Sequence, residues 1–247
     1  MTCVVNDLAE LRQQVSDGCR VLAGRDLAPG ILGHISVRVG DQLLIRCRGP
    51  RERGLAHTTP TDIHLVARDG SPGAAGELAG GWTPPHELPL HVEVLNARSD
   101  VTCVVHAHPA DVVAADLAGV RLQPIVGAYD LPGAALVRGG VPVYPRSVLI
   151  NTTELGVEVA DCLGSYPVVL MRGHGLISTG DTVAEAVLRA ASVNTLAGLS
   201  LKILGAGGAL RPIPEEDLRL LPDLGATLNL ATAWRHELAR LRPHEDA

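Results

Sequence analysis

Phenylalanine is absent from this 247-residue chain, and aromatic residues make up only 2% of it. Surfaces that stack single-stranded bases need exposed rings, so nucleic-acid binding of that kind is not expected. Positive charge is in short supply too, with 21 Lys and Arg against 27 Asp and Glu and a formal net charge of -6. That balance gives no electrostatic pull toward nucleic acid or an anionic membrane surface. The five cysteines (Cys3, Cys19, Cys47, Cys103 and Cys162) are scattered, odd in number and without a CxxC pair. They point to reduced thiols in a cytoplasmic protein rather than to a disulfide framework. The opening residues MTCVVNDLAELRQQV pass into polar helical periodicity, without the apolar run of a secretory signal. No uninterrupted apolar stretch approaches the ~20 residues that span a bilayer. What is present is 46% hydrophobic and 19% charged residues, an ordinary globular composition with a core of Val, Leu, Ile and Ala.

Leu8, Leu11, Val15, Cys19 and Leu22 recur at three- and four-residue spacing, which predicts an amphipathic helix from Asp7 to about Ala23. Gly24, Pro29, Gly30 and Gly33 break it. Two β-rich runs, from His34 and from Gln42, flank Gly40-Asp41 and read as a hairpin. A strand from Asp62, a Gly/Ala-rich connection over 71–81 and a helix from about Glu87 to Arg98 follow. Further on come a strand over Val101 to Val105, a short helix after Pro109, a helix over Thr153 to Leu163 and a strand ending at Met171. Thr182 and Glu185 form a capping-box pattern that opens a long helix to about Gly205. A last helix is expected around Leu228 to Leu241. The simplest parse is one α/β unit over 1–206 with a C-terminal helical extension over 207–247.

The stretch VTCVVHAHPAD, from Val101, ends an apolar run with two histidines one residue apart. Side chains alternate along a strand, so His106 and His108 share a face and can reach one ion. They could equally be edge histidines hydrogen-bonded to backbone. His174, in RGHGLI after another apolar strand, offers a third imidazole. Three neutral histidines leave an open coordination position, as in catalytic zinc sites, and other first-row metals accept the same donors. Glu87 sits at a helix start after two prolines, where the helix dipole favours a carboxylate; alone, that is also the place of a solvated capping group.

The ordered set PPHELPLHVEVLNARSDVTCVVHAHPADV and VVLMRGHGLIS resembles the class II, metal-dependent aldolase/adducin family, over about Leu8 to Gly205. The resemblance implies a single-domain, three-layer α/β/α fold around a mainly antiparallel sheet. It implies a homotetramer with active sites between neighbouring subunits. His106, His108 and His174 would hold one divalent ion per subunit, zinc first, with manganese, cobalt or iron as alternatives. Glu87 would be the acid/base and possible fourth ligand, and Tyr129 falls near a loop from which some members supply a proton-donating tyrosine.

The sequence departs from the family's sugar-phosphate aldolases where small polar residues cradle phosphate. The matching places read Gly33-His34, Arg46-Cys47-Arg48-Gly49 and Pro85-His86. Phosphate recognition is therefore not expected. Arg46 and Arg48 alternate onto one strand face and suit a carboxylate, while His34, Ser36 and His86 are candidates to contact substrate oxygens. In having a histidine in the first loop the chain is similar to family branches that decarboxylate hydroxyaromatic or oxo acids. The expectation is a metal-dependent carbon–carbon lyase acting on a small-molecule carboxylate by decarboxylation. A retro-aldolase on a hydroxy-oxo acid or sugar is the alternative, and a non-catalytic adducin-like assembly domain is a further one.

Overall fold

A computed structural model describes residues 8–222 and 230–241. Cys3, Asp7 and Leu228, which figured in the expectations above, lie outside the described residues. Helix α1 (Leu8–Gly24) precedes a hairpin of β1 (His34–Val39) and β2 (Gln42–Arg46), and β3 (Ile63–Val66) follows. Then come α2 (Leu88–Ala97), β4 (Cys103–Ala107), α3 (Ala110–Leu117), α4 (Leu131–Val137), β5 (Val143–Tyr144) and α5 (Thr153–Leu163). The hairpin β6 (Val168–Met171) and β7 (Gly175–Gly180) leads into α6 (Val183–Gly205), α7 (Glu215–Leu220) and α8 (Thr232–Leu241).

The seven strands form one sheet in the order β3-β2-β1-β4-β7-β6-β5, antiparallel throughout except for the β5 and β6 pair. Period-2 alternation divides each strand between two cores. Ile35, Val37, Leu44, Val105, Ala107 and Leu176 pack toward α1, α3 and α6. Leu43, Ile45, Val104, Val169 and Ile177 pack toward α2 and α5. This is the expected three-layer arrangement with a mainly antiparallel central sheet.

Long α6 has 23 residues and an 18-residue window with a mean hydropathy at or above 1.2, enough on length and composition to cross a membrane. Here its apolar side, including Val183, Val187, Val193 and Ala197, is buried against the sheet. Its first turn has half of the expected capping box: Thr182 accepts the Glu185 backbone N–H at 3.2 Å, while the Glu185 carboxylate accepts the N–H of Asp181 instead of that of Thr182. At the C-terminal end, α8 packs on the same core through Trp234 and Leu241, and Glu237 pairs with Arg25.

Strand β7 has no counterpart among the expected elements. GLISTG is short, flanked by glycine and partly polar, so no alternation marks it. Yet all six residues are buried at the centre of the sheet, between β4 and β6. Its polar side chains are satisfied by backbone carbonyls, Ser178 donating to Ala186 and Thr179 to Pro167.

Candidate metal centre

The site forms where the start of β1, the end of β4 and the start of β7 meet the N-terminus of α2. On β4, Val104 faces the α2 core, so alternation sends His106 to that side too. His106 is fully buried, and its Nδ1 donates to the carbonyl of Leu176 on β7 at 3.0 Å. That bond fixes the tautomer and leaves a lone pair on Nε2, which lies 2.9 Å from His108 Nε2. The chain stays extended past β4 because the His108 N–H bonds the carbonyl of Leu27.

His174 arrives on the β6–β7 turn. Gly173 takes a left-handed φ of 58°, and Asp116 braces it by accepting its N–H at 2.8 Å and pairing with Arg172 at 3.1 Å. At Gly175 a Cβ would stand 2.2 Å from the carbonyl oxygen of Ala107, so only glycine lets β7 begin flush against β4. The His174 ring consequently stacks on that of His108, with centroids 5.1 Å apart.

Glu87 occupies the cap position of α2, followed by Pro89 in the first turn, where a proline's missing N–H costs nothing. Its Oε1 accepts the backbone N–H of Ile150 at 3.0 Å. Oε2 lies 3.3 Å from His106 Nε2, and Oε1 lies 3.7 Å from His174 Nε2. One donor atom from each of Glu87, His106, His108 and His174 falls within 4.8 Å of the others.

Burial alone would raise the Glu87 carboxyl, but the adjacent His106 and His34 rings hold it far below the usual carboxylate range. Burial pushes His108 down to about 3 and lowers His174 as well, so these rings are neutral near pH 7, the form that ligates metal. Among the described residues, every ion-pair partner of Glu87 is an imidazole. Three neutral nitrogens and one carboxylate without a fixed cation fit a divalent ion.

Behind this group lies a residue that the sequence reading passed over. His91, one helical turn after Glu87, is fully buried on α2. Its Nε2 is 2.7 Å from His34 Nδ1, and its Nδ1 is 2.7 Å from Ser36 Oγ. His34 pairs directly with His106 across β1 and β4, and its Nε2 stands 3.8 Å from Glu87 Oε2. Burial lowers His34 to about 4 and His91 well below its ordinary value. The spacing HELPLH, with Glu and His four apart and so on one helix face, was the available signal.

Two expected substrate contacts are corrected. Ser36 does share a face with His34, but it is fully buried and its hydroxyl engages His91 rather than open space. Arg46 lies on the opposite face of the sheet from Glu87. The pairing of Ser36 with Ile45 puts Ile45 on the α2 side, which turns Arg46 toward α1. There Arg46 is buried, bonded to Glu52 at 2.5 Å and to Thr58 at 3.3 Å. Arg48 lies beyond the end of β2, half-buried, with its backbone bonded both ways to Thr83, four residues before Glu87. His86 is exposed beside Glu87. Tyr129 is 75% exposed in the turn before α4 and is not brought into the cluster within this chain.

Residues 13–201 match the profile of the class II aldolase and adducin N-terminal domain. A 3,4-dihydroxyphthalate decarboxylase of Arthrobacter keyseri is 58% identical over 234 residues, 94% of each chain. An enzyme of the same description from Terrabacter sp. (strain DBF63) is 60% identical, over 93% of this chain and 96% of its own. In shape, an aldolase II superfamily protein from Pseudomonas syringae superimposes with a TM-score of 0.79 at 20% identity, covering 96% of this chain and 94% of that one.

Proposed function

The chain belongs to the class II aldolase and adducin family, and on that premise we propose that it is a divalent-metal-dependent decarboxylase of 3,4-dihydroxyphthalate. It is a carbon–carbon lyase acting on a non-phosphorylated hydroxyaromatic carboxylate. The observation that carries this reading is the 58% and 60% identity, over nine-tenths of both chains, to two enzymes of that activity. The site supports it with a three-histidine, one-carboxylate cluster and with histidine, arginine and histidine at His34, Arg48 and His86, where small phosphate-cradling residues were the alternative.

His106, His108 and His174 would hold the ion, with Glu87 as fourth ligand or acid/base. When bound, a divalent ion supplies Lewis acidity for adjacent substrate oxygens. Losing CO₂ from an aromatic ring requires a proton on the carbon that carries the carboxylate, and an ortho or para hydroxyl feeds electrons toward that carbon. Glu87 is buried and oriented by the Ile150 N–H, so it can take a proton from a substrate hydroxyl and return it to the ring. His34 presents Nε2 to the same space, where a hydrogen bond to a substrate oxygen is stronger for the exclusion of water. Arg48 and His86 are our candidates for the carboxylate that the substrate keeps.

Zinc is the ion we propose, because three imidazoles and a carboxylate suit it, with manganese, cobalt and iron accepting the same donors. We also propose a homotetramer with active sites at subunit boundaries. Leu117 beside the Gly173 turn and Leu149 next to Ile150 are 67% and 49% exposed, an apolar rim that a second copy would cover. In that assembly Tyr129, exposed here, would supply its hydroxyl to a neighbour's site. Residues 207–247 are taken as an extension of the same unit. Among the described residues four free thiols, three of them fully buried, support a reducing, cytoplasmic setting.

The test is an assay of zinc-loaded protein with 3,4-dihydroxyphthalate and, separately, with a ketose 1-phosphate. CO₂ release from the first and no aldehyde from the second is expected. Aldehyde release at an ordinary enzymatic rate without CO₂ would replace this reading with a retro-aldolase.

A further inference from the structure

We infer that His91 and Ser36 are positioning residues that lock His34 as an Nε2–H donor, which keeps its ring out of the metal's ligand set and aims a hydrogen bond at the substrate. The inference rests on the proposed decarboxylation for its kinetic consequence, but not for its structural content.

One buried line of side chains fixes where each proton sits. Ser36 Oγ has one proton, and among the described residues its one hydrogen-bond partner is His91 Nδ1, at 2.7 Å. Ser36 is fully buried in β1, so a hydroxyl proton turned elsewhere would have no acceptor. The hydroxyl therefore donates to His91 Nδ1, and the His91 proton sits on Nε2. From there it donates to His34 Nδ1, again at 2.7 Å. The His34 proton is thereby assigned to Nε2, the nitrogen that faces Glu87 Oε2 at 3.8 Å. Each bond in the line points toward the site.

The direction matters because His34 is a fourth imidazole against the cluster, its ring centroid 5.1 Å from that of His106. A ring nitrogen that carries a proton has no lone pair for a cation, so the line separates His34 from His106, His108 and His174. His106 shows the opposite setting. The Leu176 carbonyl takes its Nδ1–H and leaves Nε2 bare toward the cluster. Neighbouring histidines paired across two strands are thus given opposite tautomers, one by a carbonyl and one by a serine relayed through a histidine. The line cannot serve as a proton wire, because Ser36 is its buried end and a serine hydroxyl does not give up its proton to be replaced from solvent.

The test uses full-length, zinc-loaded protein with ¹⁵N-labelled histidine, in which long-range nitrogen–proton spectra identify the protonated nitrogen of each ring. His34, assigned by the signal lost in His34→Asn, is expected to carry its proton on Nε2, and His91 likewise. In kinetics, His91→Phe keeps the ring's shape without its nitrogens and should lower kcat about 10- to 100-fold with KM little changed. His91→Gln, whose amide N–H can still reach His34, should recover most of that loss. A His34 proton on Nδ1 would overturn the inference, and so would a folded, zinc-replete His91→Phe with wild-type kcat. Should His91→Phe not fold, the wild-type spectrum decides alone. Absence of CO₂ release from the wild type would sink the proposed reaction, while the same spectrum would still judge the tautomer.

Discussion

Glu77, partly buried, and Glu87, buried, both lie beside histidines, and they are balanced in different ways. Glu77 lies at the β3 edge of the sheet, where it bonds the Arg12 guanidinium and accepts from His64 Nδ1 at 3.0 Å. Trp82 covers the His64 ring at a centroid distance of 4.8 Å, and Arg12 also ties to the carbonyl of Ile63. That cluster carries its own cation and closes the edge of a sheet. Glu87, by contrast, faces His34, His106 and His174, with His108 beside them, and has no guanidinium or ammonium partner among the described residues. Both carboxyls are held below their ordinary range against the effect of burial, Glu77 by Arg12 and His64, Glu87 by His106 and His34. A carboxylate among histidines is therefore not a functional signal in itself. The missing fixed cation, with converging lone pairs in its place, is what marks the Glu87 cluster as a candidate metal centre rather than a structural ion pair.

The largest expected difference between the clusters is in activity. His106→Ala should cut kcat/KM about a thousandfold or more, since a bound divalent ion supplies several kcal/mol of charge stabilisation. Glu77→Gln should leave kcat unchanged under the same assay. Equal losses in the two variants would erase the distinction. Next in size is the response to zinc. At about 100 times its dissociation constant, a native-state ligand adds about 2.7 kcal/mol, so zinc should raise the unfolding midpoint of the wild type and of Glu77→Gln but not of His106→Ala. Calorimetry with and without a chelator measures this. Third, Glu77→Gln should destabilise the fold by about 2 kcal/mol, the scale of hydrogen bonds to a charged group, readable in urea titrations.

The smallest effect is in pH, and the two clusters should separate there. His34 takes up a proton at about 4 in the fold against an ordinary value of 6.5. As pH falls through that window the unfolded chain protonates first, so metal-free protein should lose stability from about 6.5 down to about 4. Glu77 has its carboxyl lowered from 4.5, so its contribution is present above that value and lost below it. Unfolding midpoints against pH should thus show an upper decline, shared with the lowered His91, His108 and His174, that His34→Asn makes smaller, and a lower one that Glu77→Gln makes smaller. A single decline unaffected by His34→Asn would contradict the assignment of the upper one.

Much of this was legible beforehand, element by element. His106 and His108 share a face because a strand alternates, and that needs no partner strand. The hairpin at Gly40, the helix after Pro85 and the Thr182 cap were equally local, and the structure has each of them. Strand β7 was hidden because its pattern is set by burial on both faces. Arg46 was misplaced because alternation fixes which residues go together, not which way they go. The Ser36–Ile45 register made that choice. His91 was missed because its partners, His34 and Ser36, lie more than 50 residues upstream.

The sequence by itself determined the donors, their strand and helix settings, and the likeness to one family, since these depend on residue type and short-range spacing. Only the tertiary structure decided which histidines offer a lone pair and which a proton. Both rings of the His34–His106 pair are chemically the same. Their difference comes from the second nitrogen's partner, the Leu176 carbonyl for one and His91 for the other, and each partner is delivered by a distant element.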